Sequence, residues 1–120
     1  MKDPQVDPHT VASNYLAVWN DPDQTSRLAT LERQWASRVS YTDPLMSGET
    51  PSGVSSMIDA ARRQFPGHSF VLRGTPDGHG NMIRFSWDLI SSSGNRVAGG
   101  TDVVKVDPDG KLADIVGFLD

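Results

Sequence analysis

An α+β domain, with helices gathered on one side of a mainly antiparallel sheet, is what the sequence predicts, and two observations carry the prediction. Up to Phe65 the apolar residues recur mostly at helical spacing, whereas from Ser69 onward they alternate with a period of two. The strand-like runs are separated by short turn sequences, "DGHGN", "SSSGN" and "DPDG", so successive strands reverse direction and form an antiparallel meander. The resulting order is helix, helix, strand, helix and then four strands.

In "DPHTVASNYLAVWN" the residues Val11, Tyr15, Leu16 and Trp19 form one apolar helix face. Asp7 followed by Pro8 reads as an N-cap with proline at the first helical position, and Thr10 is the alternative cap. Pro22 ends this helix by driving Asp21 out of the helical region. A second helix is expected from Thr25 to Ala36, capped by Thr25, with Leu28, Leu31 and Trp35 as its apolar stripe. "VSYTD" reads as a short strand with Val39, Tyr41 and Asp43 on one face, followed by a loop, "PLMSGETPSG". Val54, Met57, Ile58, Ala61 and Phe65 define a third helix that Pro66 and Gly67 terminate. "SFVLRGTP", "MIRFSWDLI", "RVAGGTDVVKV" and "LADIVGFLD" are the four strands.

The 120 residues and 37% hydrophobic content suit one domain spanning 1–120, large enough for a core and a pocket. Net charge is −4 and the Lys and Arg residues are scattered, so no basic stripe is available for phosphates and nucleic acid is not an expected partner. The absence of cysteine excludes a disulfide framework, a thiolate metal site and a thiol nucleophile. No apolar run approaches the roughly 20 residues of a membrane helix. The N-terminal "MKDPQVDPHT" carries Pro and Asp where a secretory signal needs an apolar run, so a soluble, cytoplasmic protein is expected.

Alternation sorts the side chains. Ile83, Phe85, Trp87 and Leu89 share a face that should meet the helices, while Arg84, Ser86 and Asp88 take the other, with Arg84 at a possible subunit contact. A long, twisted sheet curves, and helices across its concave side enclose a space suited to a small molecule. Asp102 shares a face with Gly100, Val104 and Val106, where an ionised acid is costly; it needs a partner, a raised pKa or an outward-facing strand. Gly99 and Gly100 can mark a bulge, which would shift this assignment. Asp43 joins Val39 and Tyr41, and Tyr15 can present a phenol to the same space. Asp43 before Pro44 suits a turn equally well, and Tyr15 suits a core position. One phenol and two acids around an aromatic-lined cavity form an acid–base set. His79 is a further candidate through its near-neutral titration, although its glycine-rich context also suits the surface. The expected pocket walls are Trp19, Trp35, Tyr41, Met57, Phe65, Phe70, His79, Phe85, Trp87 and Ile115.

"YTDP" after two helices, "RFSW" in a strand and "GTDVVKVDPDGKLADIVGF" as the terminal hairpin resemble the SnoaL-like branch of the nuclear transport factor 2-like superfamily over nearly the whole chain. The resemblance implies a cone-shaped α+β barrel, its curved sheet closed by three N-terminal helices around a deep pocket, and a homodimer formed through the outer sheet face. Within that superfamily the chain is similar to steroid Δ-isomerases at three positions. The resemblance gives Asp43 the role of the carboxylate that moves a proton, Asp102 that of an acid kept protonated, and Tyr15 that of its partner in an oxyanion hole. It implies chemistry α to a carbonyl of an apolar, steroid-like or polyketide-like compound, either isomerisation or cyclisation, with no metal and no cofactor. Steroid isomerases back the catalytic phenol with further tyrosines; this chain has only Tyr41 besides Tyr15. The alternative is a non-catalytic ligand-binding or accessory domain of the same fold. A water-activating hydrolase with an Asp–Arg–Asp arrangement ranks last, because Arg84 is expected to face away from both acids.

Overall fold

The first helix, α1 (Pro8–Asn20), starts at the Asp7–Pro8 pair, and the Thr10 hydroxyl donates back to the Asp7 carboxylate at 2.6 Å. Proline fits this first turn because its missing N–H would have no helical partner there. Asp21 is extended, as expected before Pro22. The computed structural model describes residues 7–120, so the reading of the N-terminal stretch as lacking a secretory signal falls largely outside the described residues.

Two expectations for α2 are corrected. The helix runs Gln24–Gln34, and Asp23 rather than Thr25 caps it, its carboxylate accepting from the Thr25 and Ser26 amides at 2.9 and 3.3 Å. Trp35 is not on the helix; it opens strand β1 (Trp35–Thr42), with its ring stacked on Tyr15 at 5.5 Å. Extended backbone at Trp35 also pairs it with Leu112, which a last helical turn would forgo. Arg27 of α2 is fully buried, donating to the Asp21 carbonyl at 2.8 Å, to Asp59 at 3.2 Å and to Ser55 at 3.4 Å.

The expected loop after β1 contains a short strand, β2 (Ser47–Glu49), paired antiparallel with β1. Its Ser-Gly-Glu sequence carries no strand signal, but a sheet edge tolerates such residues. Helix α3 (Thr50–Gln64) buries Val54, Met57, Ile58 and Ala61 as expected. Strands β3 (Ser69–His79), β4 (Met82–Ile90), β5 (Arg96–Val106) and β6 (Leu112–Leu119) follow as the meander. The turn between β3 and β4 is shorter than "DGHGN": Asp77, Gly78 and His79 pair with Arg84, Ile83 and Met82.

The sheet order is β2-β1-β6-β5-β4-β3, with β1 and β6 parallel and the other neighbours antiparallel. It is a curled, mixed sheet with open edges at β2 and β3, so the expected barrel does not close. Helix α1 is fastened to the β3 edge by Asn20, whose side chain donates to the Phe70 carbonyl at 2.8 Å and accepts from the Phe70 amide at 2.7 Å. Arg62 of α3 donates to the Trp19 carbonyl at 3.0 Å. These contacts hold the C-terminal turn of α1 over the concave face.

The ladder is regular at Gly99 and Gly100, and the irregularity lies one step earlier, between the pairs at Leu89 and Ile90. Asp102 therefore keeps the face assigned by alternation. Gly100 serves a different purpose: a Cβ there would lie 2.8 Å from the Trp87 ring and 2.5 Å from the Phe118 carbonyl oxygen. The missing side chain lets the indole lie across β5.

Because Asp23 satisfies two orphan amides, Asp23→Ala is expected to cost about 1 kcal/mol in urea denaturation. Thr25→Ala removes no capping acceptor and should leave the midpoint nearly unchanged.

Candidate active site

Strand register brings the two acids together. Phe85 on β4, Asp102 on β5 and Gly117 on β6 form one cross-strand row. The parallel pairing of β1 with β6 then puts the end of β1, where Asp43 follows Thr42, beside the same glycine. A Cβ on Gly117 would lie 2.8 Å from Asp102 Oδ1, 3.1 Å from Asp43 Cβ and 3.5 Å from the Tyr41 hydroxyl. Gly117 is thus the gap in which the two carboxylates approach each other. It was not singled out from the sequence, although a glycine on the inner face of an alternating strand signals close approach.

The Tyr15 hydroxyl donates to Asp102 Oδ2 at 2.5 Å, and Trp87 Nε1 donates to Oδ1 at 3.2 Å. Asp102 is 3% exposed, and burial pushes its pKa up. The nearby Asp43 charge pushes in the same direction, while the Tyr15 and Trp87 hydrogen bonds pull it down without cancelling the rise. The Tyr15 phenol is driven well above its ordinary range by burial first and then by the Asp102 charge. Burial also raises the Tyr41 phenol, together with the Asp102 and Asp43 charges.

Asp43 unites both roles considered from the sequence. It lines the cavity, and it also organises a turn, with Oδ1 accepting from the Leu45 and Met46 amides at 2.8 and 2.9 Å. The Asp43 amide donates to the Met46 carbonyl at 2.9 Å. Its Oδ2 accepts from the Tyr41 hydroxyl at 2.6 Å. Tyr41 therefore supports the carboxylate rather than Tyr15.

The cavity has a volume of about 110 Å³. Of the expected walls, Trp19, Tyr41, Phe65, Phe70 and Trp87 line it beside Tyr15, Asp43 and Asp102. Trp35, Phe85 and Ile115 do not; they are fully buried behind it, Trp35 and Phe85 packed on the Tyr15 ring. Met57, on the buried side of α3, faces a separate groove near β2. His79 is exposed at the end of β3, beside Asp77 and Arg84, and takes no part in the cavity. Alternation could not locate it, because its strand extends past the apparent turn. Arg84 pairs with Asp77 on the outer face, at 2.8 and 3.1 Å, so no arginine joins the two acids among the cavity residues. Leu16, Leu45, Met46, Ala61, Leu89, Ala98 and Leu119 complete the lining; their apolar character did not separate wall from core in the sequence. Trp19 Nε1 is a buried donor with no hydrogen-bond partner among the described residues, at a usual cost of about 1–3 kcal/mol. Among the described residues no cluster of three or more His, Cys, Asp or Glu is placed to hold a metal ion. Among the described residues no helix is long and apolar enough to cross a membrane.

No protein-family model matches the chain, and neither does any curated protein at a significant level. Solved structures do. A candidate isomerase of the SnoaL-like family from Agrobacterium tumefaciens is 53% identical, with 94% of this chain and 97% of that chain covered and a TM-score of 0.93. This chain belongs to the SnoaL-like family. A SnoaL-like protein of unknown function from Burkholderia thailandensis shares the fold at 11% identity, with 98% and 99% coverage and a TM-score of 0.75. A candidate polyketide cyclase from Sinorhizobium meliloti does so at 12% identity, with 90% and 93% coverage and a TM-score of 0.70. SnoaL-like membership accounts for the curled sheet under helices.

Two measurements test the geometry of this SnoaL-like site. Gly117→Ala inserts a methyl between the acids and is expected to lower stability by about 1–3 kcal/mol in chemical denaturation. The second concerns pH. A carboxyl whose folded pKa lies above its unfolded value stabilises fully below the unfolded value and loses that contribution as pH rises through the folded one. The stability of Asp102→Asn relative to wild type should therefore increase as pH rises from about 3.8, and level off above the folded pKa. Urea denaturation of both proteins across that range reads the difference directly.

Proposed function

We propose that this protein is a cofactor-independent isomerase or cyclase that moves protons α to a carbonyl of a compact, apolar substrate. The observation that carries the reading is the 2.5 Å hydrogen bond between Tyr15 and Asp102 inside a cavity that Asp43 also lines.

Proton bookkeeping gives that bond its meaning. With Asp102 ionised, the pair holds one O–H proton, and the bond between them uses it. With Asp102 neutral, the pair holds two, so one remains for a ligand oxygen. Burial favours the neutral form. Asp43 has the complementary arrangement. Its Oδ1 is occupied by two amides, while Oδ2 accepts, among the described residues, only from Tyr41 and keeps a lone pair for a substrate proton.

In this reading Asp43 Oδ2 takes the proton from the carbon beside the carbonyl, and the electron pair moves to the carbonyl oxygen. The Tyr15–Asp102 pair donates to the resulting enolate oxygen, in surroundings too apolar for water to compete. Isomerisation follows when Asp43 returns the proton to a different carbon. Cyclisation follows when the enolate carbon attacks a second carbonyl of the same molecule, whose π bond opens to an alkoxide that takes the proton back from Asp43. The cavity volume of about 110 Å³ is small beside the roughly 300–1,000 Å³ of common ligand pockets, which favours a compact ring or short chain over a four-ring substrate. The same reading pairs two copies through the outer sheet face, where Val71, Val116 and Phe118 are exposed.

A second reading, a non-catalytic binder, draws on the three hydrogen bonds that already hold Asp43 as a turn residue. Exchange of α-protons separates the two without knowledge of the product. Small cyclic ketones incubated in D2O with the protein should lose their α-proton NMR signals. Asp43→Asn should slow this by about 10²–10⁴-fold while ketone binding persists. Ketones that bind the wild type with no exchange would leave the binder reading in place.

A further inference from the structure

Trp19 is 5% exposed, lines the cavity, and carries the one buried side-chain polar atom without a partner among the described residues, Nε1. An indole N–H can only donate, so its partner must be an acceptor. The other cavity indole, Trp87, already donates to Asp102. Trp19 sits one helical turn after Tyr15 on α1, and its N–H favours the ionised form of the Tyr15 phenol without reaching hydrogen-bond geometry. The two rings are tilted at 41° with centroids 6.5 Å apart, and both residues line the cavity.

Its position is fixed before any ligand arrives. The Trp19 ring packs edge-on to Phe70 at 5.2 Å and tilted against Tyr41 at 5.7 Å. Its carbonyl is held by Arg62, and the next residue, Asn20, is clamped to the Phe70 backbone. A donor held in this way pays little reorganisation when an oxygen reaches it.

We propose that Trp19 Nε1 donates to the same substrate oxygen that Tyr15 and Asp102 receive, making Trp19 a further catalytic residue of this site. The proposal rests on the acid–base reading above. It narrows the ligands to those carrying a strongly accepting oxygen, such as an enolate or phenolate, in an aromatic-walled cavity. An otherwise similar hydrocarbon would leave the indole N–H unpaired.

Phenol and toluene, which share a ring but differ in the oxygen, provide the test. Their affinities are measured for the wild type, Trp19→Phe and Asp102→Leu, and the three indole N–H signals of Trp19, Trp35 and Trp87 are followed by NMR. Trp19→Phe keeps an aromatic ring and assigns the Trp19 signal. Phenol should bind the Trp19→Phe protein about 10- to 100-fold more weakly, with toluene little changed. The Trp19 indole proton of the wild type should move downfield on phenol binding. Equal losses for phenol and toluene, or an unmoved Trp19 signal in a phenol complex that needs Asp102, would overturn the proposal while sparing the acid–base reading. Phenol that fails to bind, or binds with no need for Asp102, would remove that reading and this proposal together. Should Trp19→Phe lose its fold, Trp35→Phe and Trp87→Phe assign the other two indole signals, and the wild-type Trp19 shift decides.

Discussion

The Tyr15–Asp102 hydrogen bond organises the rest of the site, because a carboxyl cannot remain on the concave face of the sheet without a partner. Asp102 is placed there by β5, which also turns Ala98, Gly100, Val104 and Val106 inward. Its Oδ2 takes its donor from a helix. Tyr15 reaches it because α1 lies across the sheet, with its ring held between Trp35 and Phe85. The bond therefore links helix to sheet where apolar packing alone would tolerate sliding. Trp87 fixes the second oxygen, and Gly100 makes room for the Trp87 ring. One buried acid thus sets the requirements for a helix, a tryptophan and a glycine.

The two carboxylates differ in their surroundings. Asp102 lies among apolar walls, and its burial favours the neutral acid more than the phenol and indole hydrogen bonds favour the charged one. Asp43 sits at the mouth, half-buried, with two backbone amides and a phenol directed at it. The gap at Gly117 keeps them close enough for the Asp43 charge to contribute to the raised Asp102 pKa. Two like groups thus occupy different environments within one cavity, Asp102 buried among apolar walls that favour its neutral form and Asp43 held by two amides and a phenol.

Much of this was legible in the chain. Alternation placed Asp102 and Trp87 inward and Arg84 outward, since a strand side chain has only two directions. Helical spacing placed Tyr15 and Trp19 on a common stripe. Local patterns failed where a residue's place depends on distant partners. Trp35 left its helix to stack on Tyr15, and β2 formed only because β1 offered an edge. His79 was displaced from the site because β3 and β4 continue pairing past the apparent turn. Asp43 is the instructive case: its sequence supported a turn and an inward acid equally, and the folded chain uses both.

The sequence by itself determined the fold class, the order of its main elements and the faces on which the candidate acids and phenol lie, because those follow from local periodicity and turn chemistry. Only the tertiary structure decided that the faces meet. The parallel pairing of β1 with β6 joins residues far apart in the chain and carries no local signal, yet it brings Asp43 beside Gly117 and so beside Asp102. The division between cavity wall and core was likewise settled in three dimensions. Phe65 and Phe85 are equally apolar in the chain; the curvature of the sheet and the position of α1 decide which of them faces the cavity.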